Sequence, residues 1–78
     1  MNCEYVKSKH KGFLIEGDCL QRKSDGLVYK YNQTFYENDF SIYHFIGNNS
    51  AFLVHFNCLT KFFETDDRGI KIFKEVVK

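Results

Sequence analysis

The turn Ser24-Asp25-Gly26 constrains this chain more than any other short stretch. It separates residues 18–23 (DCLQRK) from residues 27–32 (LVYKYN), and apolar and polar side chains alternate in the second run. Gly reaches positive φ without steric cost, so Asp-Gly between two strand-like runs is a strong β-hairpin signal. Alternation places Leu27, Tyr29 and Tyr31 on one face and Val28 and Lys30 on the other.

The rest of the chain repeats this rhythm of short β-prone runs broken by Gly, Asn and Asp. Residues 3–7 (CEYVK) read as a first strand and residues 8–11 (SKHK) as a basic, polar stretch. Gly12 opens the apolar run 13–15 (FLI), and Gly17-Asp18 closes it. Residues 34–40 (TFYENDF) read as a loop bearing Phe35, Tyr36 and Phe40. Residues 41–46 (SIYHFI) are rich in β-formers and read as a strand, with a turn over 47–50.

Residues 51–64 carry two conflicting signals. Phe52, Phe56, Leu59 and Phe63 recur at helical spacing, with Ser50 placed to cap, which predicts one helix over 51–64. Residues 51–56 (AFLVHF) taken alone read as a strand facing SIYHFI across a four-residue turn. A turn over 65–69 leads to a last strand over 70–77 (IKIFKEVV). Ile70, Ile72 and Val76 face one way there, interrupted by Lys74, and Lys71, Phe73, Glu75 and Val77 face the other. The expected fold is therefore α+β, a small antiparallel sheet of about four or five strands with one helix near 51–64. If 51–56 is a strand, the alternative is a small all-β barrel of the SH3-like or OB-like kind.

With 78 residues the chain forms one domain, and a domain this short buries a limited core. It nevertheless carries nine Phe and five Tyr. Some of that aromatic surface is expected outside the core, where exposed aromatic patches mark partner sites. Phe35, Tyr36, Phe40 and Tyr43 cluster in and beside the least regular segment and are the candidate protein interface. The two apolar faces of 70–77 and the small core also point to a homodimer.

Net charge is +1, so nothing global draws the chain to nucleic acid or an anionic membrane. A nucleic-acid module is the alternative reading. It would use the basic residues Lys7, Lys9, Lys11, Arg22, Lys23 and Lys30 for phosphates and Tyr29 and Tyr31 for base stacking. No apolar run is long enough for a membrane helix, and the start has no signal-peptide pattern, so the cytoplasm is expected. Three Cys at wide spacing suggest no disulfide framework.

Chemistry-bearing patterns are weak. His55 and Cys58 would share a helical face with Phe52, Leu59 and Phe62, which reads as packing. Cys3, His10, Cys19, His44, His55 and Cys58 contain no close pair of the kind that marks a zinc site. No metal, cofactor or catalytic residue is assigned. The acids Glu64, Asp66 and Asp67 beside Arg68 do not match a calcium loop and read as a solvated turn. Lys, Asn, Ile, Phe and Tyr make up 34 of the 78 residues, with one Ala and no Pro, which suggests an AT-rich gene. The sequence is thus expected to specify a non-enzymatic protein–protein interaction module, of the kind a phage or mobile element uses to modulate or inhibit a host protein.

Overall fold

A computed structural model describes residues 3–10, 14–47 and 49–76. The expectations placed on Lys11, Gly12, Phe13, Asn48 and Val77 lie outside the described residues. The chain forms a mostly-sheet antiparallel domain with one short helix. Its strands are β1 (Cys3–Lys9), β2 (Cys19–Gln21), β3 (Val28–Glu37), β4 (Phe40–Ile46), β5 (Ala51–His55), β6 (Thr65–Asp66) and β7 (Gly69–Glu75). A 3-10 turn (Phe56–Cys58) and helix α1 (Leu59–Phe62) lie between β5 and β6. The strands form one seven-stranded sheet in the order β1-β7-β2-β3-β4-β5, with β6 paired to β7. The strand count exceeds the expected four or five, and the sheet is open, with β1 and β5 at its ends, so no barrel closes.

The 24–26 turn behaves as read. Gly26 has φ of 71°, the Arg22 N–H donates to the Leu27 carbonyl at 2.8 Å, and β2 pairs with β3. Strand β3 then runs ten residues to Glu37 instead of stopping near 32. Residues 34–40 are therefore not a loop but the far end of a β3–β4 hairpin. Asn38 and Asp39 both have positive φ, which is the backbone of a two-residue hairpin turn, and Glu37 pairs with Phe40 across it. A bulge between Tyr31 and Gln33 shifts the register, so the side chains before and after it alternate out of phase.

The expected helix over 51–64 is also corrected. Residues 51–55 form strand β5, and the α-helix spans four residues. Tertiary pairing overrides the helical spacing here: Tyr43 opposes Val54 and Phe45 opposes Phe52. Phe52 and Val54 turn toward the core while Leu53 and His55 turn away, which is strand alternation.

The core lies on the face that α1 covers. Phe45 is fully buried at its centre, with the Phe63 ring at 4.6 Å and the Phe52 ring stacked at 5.8 Å. Leu20, Tyr29, Tyr31, Tyr43, Val54, Leu59, Ile70 and Ile72 complete it. Strand β7 is interior, with β1 along one edge and β6 and β2 along the other. Its two apolar faces thus have an explanation inside the monomer. Gly69 fixes the start of β7: its φ is 134°, and a Cβ there would collide with the Lys9 carbonyl oxygen.

Candidate functional site

The β3–β4 hairpin is longer than the core beneath it. Residues 35–40 are all exposed, whereas Tyr29, Tyr31, Tyr43 and Phe45 further along the same two strands are buried. Cross-strand register sorts the projecting side chains into two faces. Phe35, Ile42 and His55 stand in one row, and Gln33, His44 and Leu53 in the next. Phe40 is in phase with Ile42, and its ring meets the His55 ring edge-on at 5.8 Å. Tyr36, opposite Ser41, lies on the other face, in the row beyond Thr34, Tyr43 and Val54.

The exposures are large for aromatic side chains: Phe35 44%, Tyr36 82% and Phe40 52%, with Leu53 at 58%. Phe35, Tyr36, Glu37, Ile42 and Leu53 line a groove of about 380 Å³. A second groove of about 240 Å³ lies between Phe40, His55 and Asn57. Three of the four sequence-predicted interface residues therefore meet at one end of the molecule. Tyr43 does not join them. It is 6% exposed and packs against Tyr31 and Phe56 in the core. Ile42, Leu53 and His55 belong to this surface and were not predicted. Reading AFLVH as the partner of SIYHFI would have found them, because that register sets Ile42 beside His55 and His44 beside Leu53.

The residues of the nucleic-acid alternative are dispersed or occupied. Tyr29 and Tyr31 are buried, so neither offers a ring face to a base. The Tyr29 hydroxyl donates to Asp25 at 2.8 Å. Arg22 is ion-paired with Asp25, and its guanidinium lies over the Tyr29 and Phe52 rings at 4.6 and 5.0 Å. That guanidinium, with the Leu27 amide and the Tyr29 hydroxyl, holds the Asp25 carboxyl well below the usual carboxylate range despite desolvation. Lys23 donates to the Thr60 carbonyl at 3.0 Å, and Lys9 pairs with Asp18 at 2.6 Å. Lys7 and Lys30 are exposed.

Asp18 is the one buried charged side chain among the described residues. It accepts from the Ile15 amide at 3.0 Å and lies between Lys9 and Lys74, at 2.6 and 3.2 Å. Burial is the strongest single influence and pushes its pKa up. The Ile15 amide and the two ammonium groups together outweigh burial, and the carboxyl titrates below its ordinary value. The group ties β1, β7 and the residues before β2 together and is fully partnered, which is a structural role. Asp66 works similarly between β1 and the 66–69 turn, accepting from the Tyr5 and Ser8 hydroxyls and the Arg68 amide.

The reactive side chains do not converge on a site. His55 ends β5 in an exposed position, while Cys58 lies in the 3-10 turn against the core. They share no helical face. Among the described residues, no three His, Cys, Asp or Glu side chains are grouped to hold a metal ion. The Cys19 thiol donates to the Gly17 carbonyl at 3.7 Å, and the Cys3 thiol, carried by β1 across β7 from it, is near enough to shift its titration, a proximity that their spacing in sequence does not signal. Burial pushes the Cys19 thiol up to about 11, reinforced by Cys3. Such a thiol is protonated and unreactive near neutral pH. No described helix is long and apolar enough to cross a membrane. No family model, curated protein or solved structure matches the chain.

Proposed function

We propose that this domain is a non-enzymatic protein–protein interaction module that holds its partner with the projecting end of the β3–β4 hairpin. One observation carries the reading. Phe35, Tyr36 and Phe40 stand exposed where the hairpin has run past its own core. Aromatic side chains in the folded protein are normally covered, and those left outside in a cluster are the usual anchors of protein interfaces. The hairpin backbone is paired down to its turn, so less backbone conformational entropy is lost on docking than for a loop. The AT-rich composition favours a phage or mobile-element accessory protein acting in the cytoplasm, with a host protein as the partner it modulates.

The test is a tagged pull-down from lysate of the native host, with and without nuclease, using the wild type and Tyr36→Ala. The expected result is a stoichiometric protein that survives nuclease and is lost or strongly reduced with Tyr36→Ala. Capture of nucleic acid that disappears with nuclease would overturn this reading in favour of a nucleic-acid module. A partner retained equally by both proteins would place the interface elsewhere.

A further inference from the structure

The far edge of the sheet differs from the near edge. Strand β1 (CEYVKSK) carries Glu4, Lys7 and Lys9, the charged residues by which natural proteins keep a sheet edge from pairing with another chain. Strand β5 (AFLVH) carries no Lys, Arg, Asp, Glu or Pro. The hydrogen-bond phase along β5 follows from its turn. The Gly47 N–H donates to the Ser50 carbonyl at 2.7 Å, and antiparallel ladders alternate. Phe52 and Val54 therefore bond into β4, and Ala51, Leu53 and His55 direct their N–H and C=O groups outward, away from the sheet. The chain leaves β5 toward the core, where Phe56 packs near Tyr43 and Leu59 is buried. Beside the edge, Arg22, Phe52, Leu53, Val54 and Phe62 line a notch of about 140 Å³, with Phe62 half exposed.

We propose that β5 pairs antiparallel with β5 of a second copy of this chain, about a two-fold axis at Leu53. The β5 edge is self-complementary. With Leu53 opposite its own mate, Ala51 opposes His55 of the other copy, so the small side chain faces the ring. On the core side Phe52 opposes the partner's Val54, over the notch edged by Phe62. Large meets small at each off-axis position, and no charge meets a like charge. The outward backbone groups of Ala51, Leu53 and His55 make about six main-chain hydrogen bonds in this register. The charged β1 edge disfavours continued head-to-tail growth, so the association closes as an isologous dimer. The pairing borders the hairpin-tip surface at Leu53 and His55 but does not depend on that reading: the two tips point to opposite ends of the dimer, and Tyr36 lies outside the paired strands.

The test uses the purified full chain alone. Sedimentation equilibrium of the wild type is expected to show a monomer–dimer equilibrium with a dissociation constant at or below about 100 μM, the weak range of a small interface. Leu53→Lys sets two ammonium groups across the axis and is expected to weaken the dimer by more than about tenfold, whereas Tyr36→Ala leaves it unchanged. Amide exchange of the wild type supplies a check that needs no variant. Exchange at Ala51, Leu53 and His55 slows as concentration rises, while exchange along β1 does not change. A monomer at the highest soluble concentration would overturn the proposal. So would a dimer with concentration-independent exchange at those three amides, or one that Leu53→Lys leaves intact.

Discussion

Two tyrosines seven residues apart provide the sharpest contrast in the molecule. Tyr43 is 6% exposed and Tyr36 is 82% exposed. A buried aromatic side chain removes about 200 Å² from water, which at about 25 cal/mol/Å² is an upper figure of about 5 kcal/mol. A compact unfolded chain already hides part of that area, which lowers the figure to about 3–4 kcal/mol. Tyr43→Ala also deletes the edge-on contact with Tyr31 at 5.9 Å and leaves a cavity in the core. The expected destabilisation is about 3–5 kcal/mol, the range of large-to-small aromatic truncations. A domain of this size has a total stability of about 4–12 kcal/mol, so Tyr43→Ala removes at least about a quarter of it. Tyr36 hides only a small fraction of its surface, and Tyr36→Ala is expected to cost less than about 0.5–1 kcal/mol. Urea denaturation monitored by circular dichroism measures both, read from midpoints at a common m-value. Equal losses for the two variants would refute the division of aromatics into core and projecting tip. A Tyr36→Ala protein that unfolds would remove the basis for treating the tip as a surface available to a partner.

Three further predictions rest on other parts of the fold. Gly69→Ala forces a methyl group against the Lys9 backbone at a φ that L residues rarely adopt, and is expected to cost more than about 3 kcal/mol by urea denaturation, whereas Gly26→Ala, which meets no neighbour, costs only its turn strain. The Ser8 hydroxyl, the Arg68 amide and the Tyr5 hydroxyl hold Asp66 at about 2 against an ordinary 3.8. A depressed folded-state pKa contributes stability that is complete above the ordinary value and lost as pH falls through the folded one. The melting temperature should therefore fall between about pH 4 and pH 2, and more shallowly in Asp66→Asn. Cys19, buried and with its thiol raised to about 11 from 9.0, should alkylate at least about a hundredfold more slowly in the folded protein than in urea, as measured by mass spectrometry near pH 8; equal rates would place Cys19 outside the core.

The parts of this fold legible in the sequence are those with local causes. Asp25-Gly26 announces its hairpin because the positive φ is carried by Gly, and SIYHFI announces β4 by β-propensity. The second hairpin turn was hidden because Asn38 and Asp39 reach positive φ without a Gly between them. The bulge after Tyr31 broke the alternation that would have carried β3 through to Glu37. Phe52, Phe56, Leu59 and Phe63 imitate a helix because the chain passes from a strand through a 3-10 turn to a single helical turn, and each of these segments and the residue after the last turns an apolar side chain toward the core. The local signals conflict, helical spacing against the strand-like run AFLVHF, and pairing with β4 decides between them. The same limit explains Tyr43. Its segment marked it as a candidate for the surface, but burial depends on where the core ends beneath the hairpin, and that is set by β2, β7 and α1 from elsewhere in the chain. That some aromatics lie outside the core was legible, because a short chain with so many cannot cover them all; Phe35, Tyr36 and Phe40 were singled out by reading as irregular a segment that is the end of a hairpin.

The most direct test of the interaction reading is site-specific photo-crosslinking in the native host. A photoreactive amino acid is placed in turn at Tyr36, at Phe40 and, as a control on the charged edge of the sheet, at Glu4. One protein adduct of the same mass is expected from Tyr36 and Phe40, and none from Glu4. No adduct at the hairpin tip, or an equal adduct at Glu4, would contradict the claim that the projecting end of β3 and β4 is where this domain meets its partner.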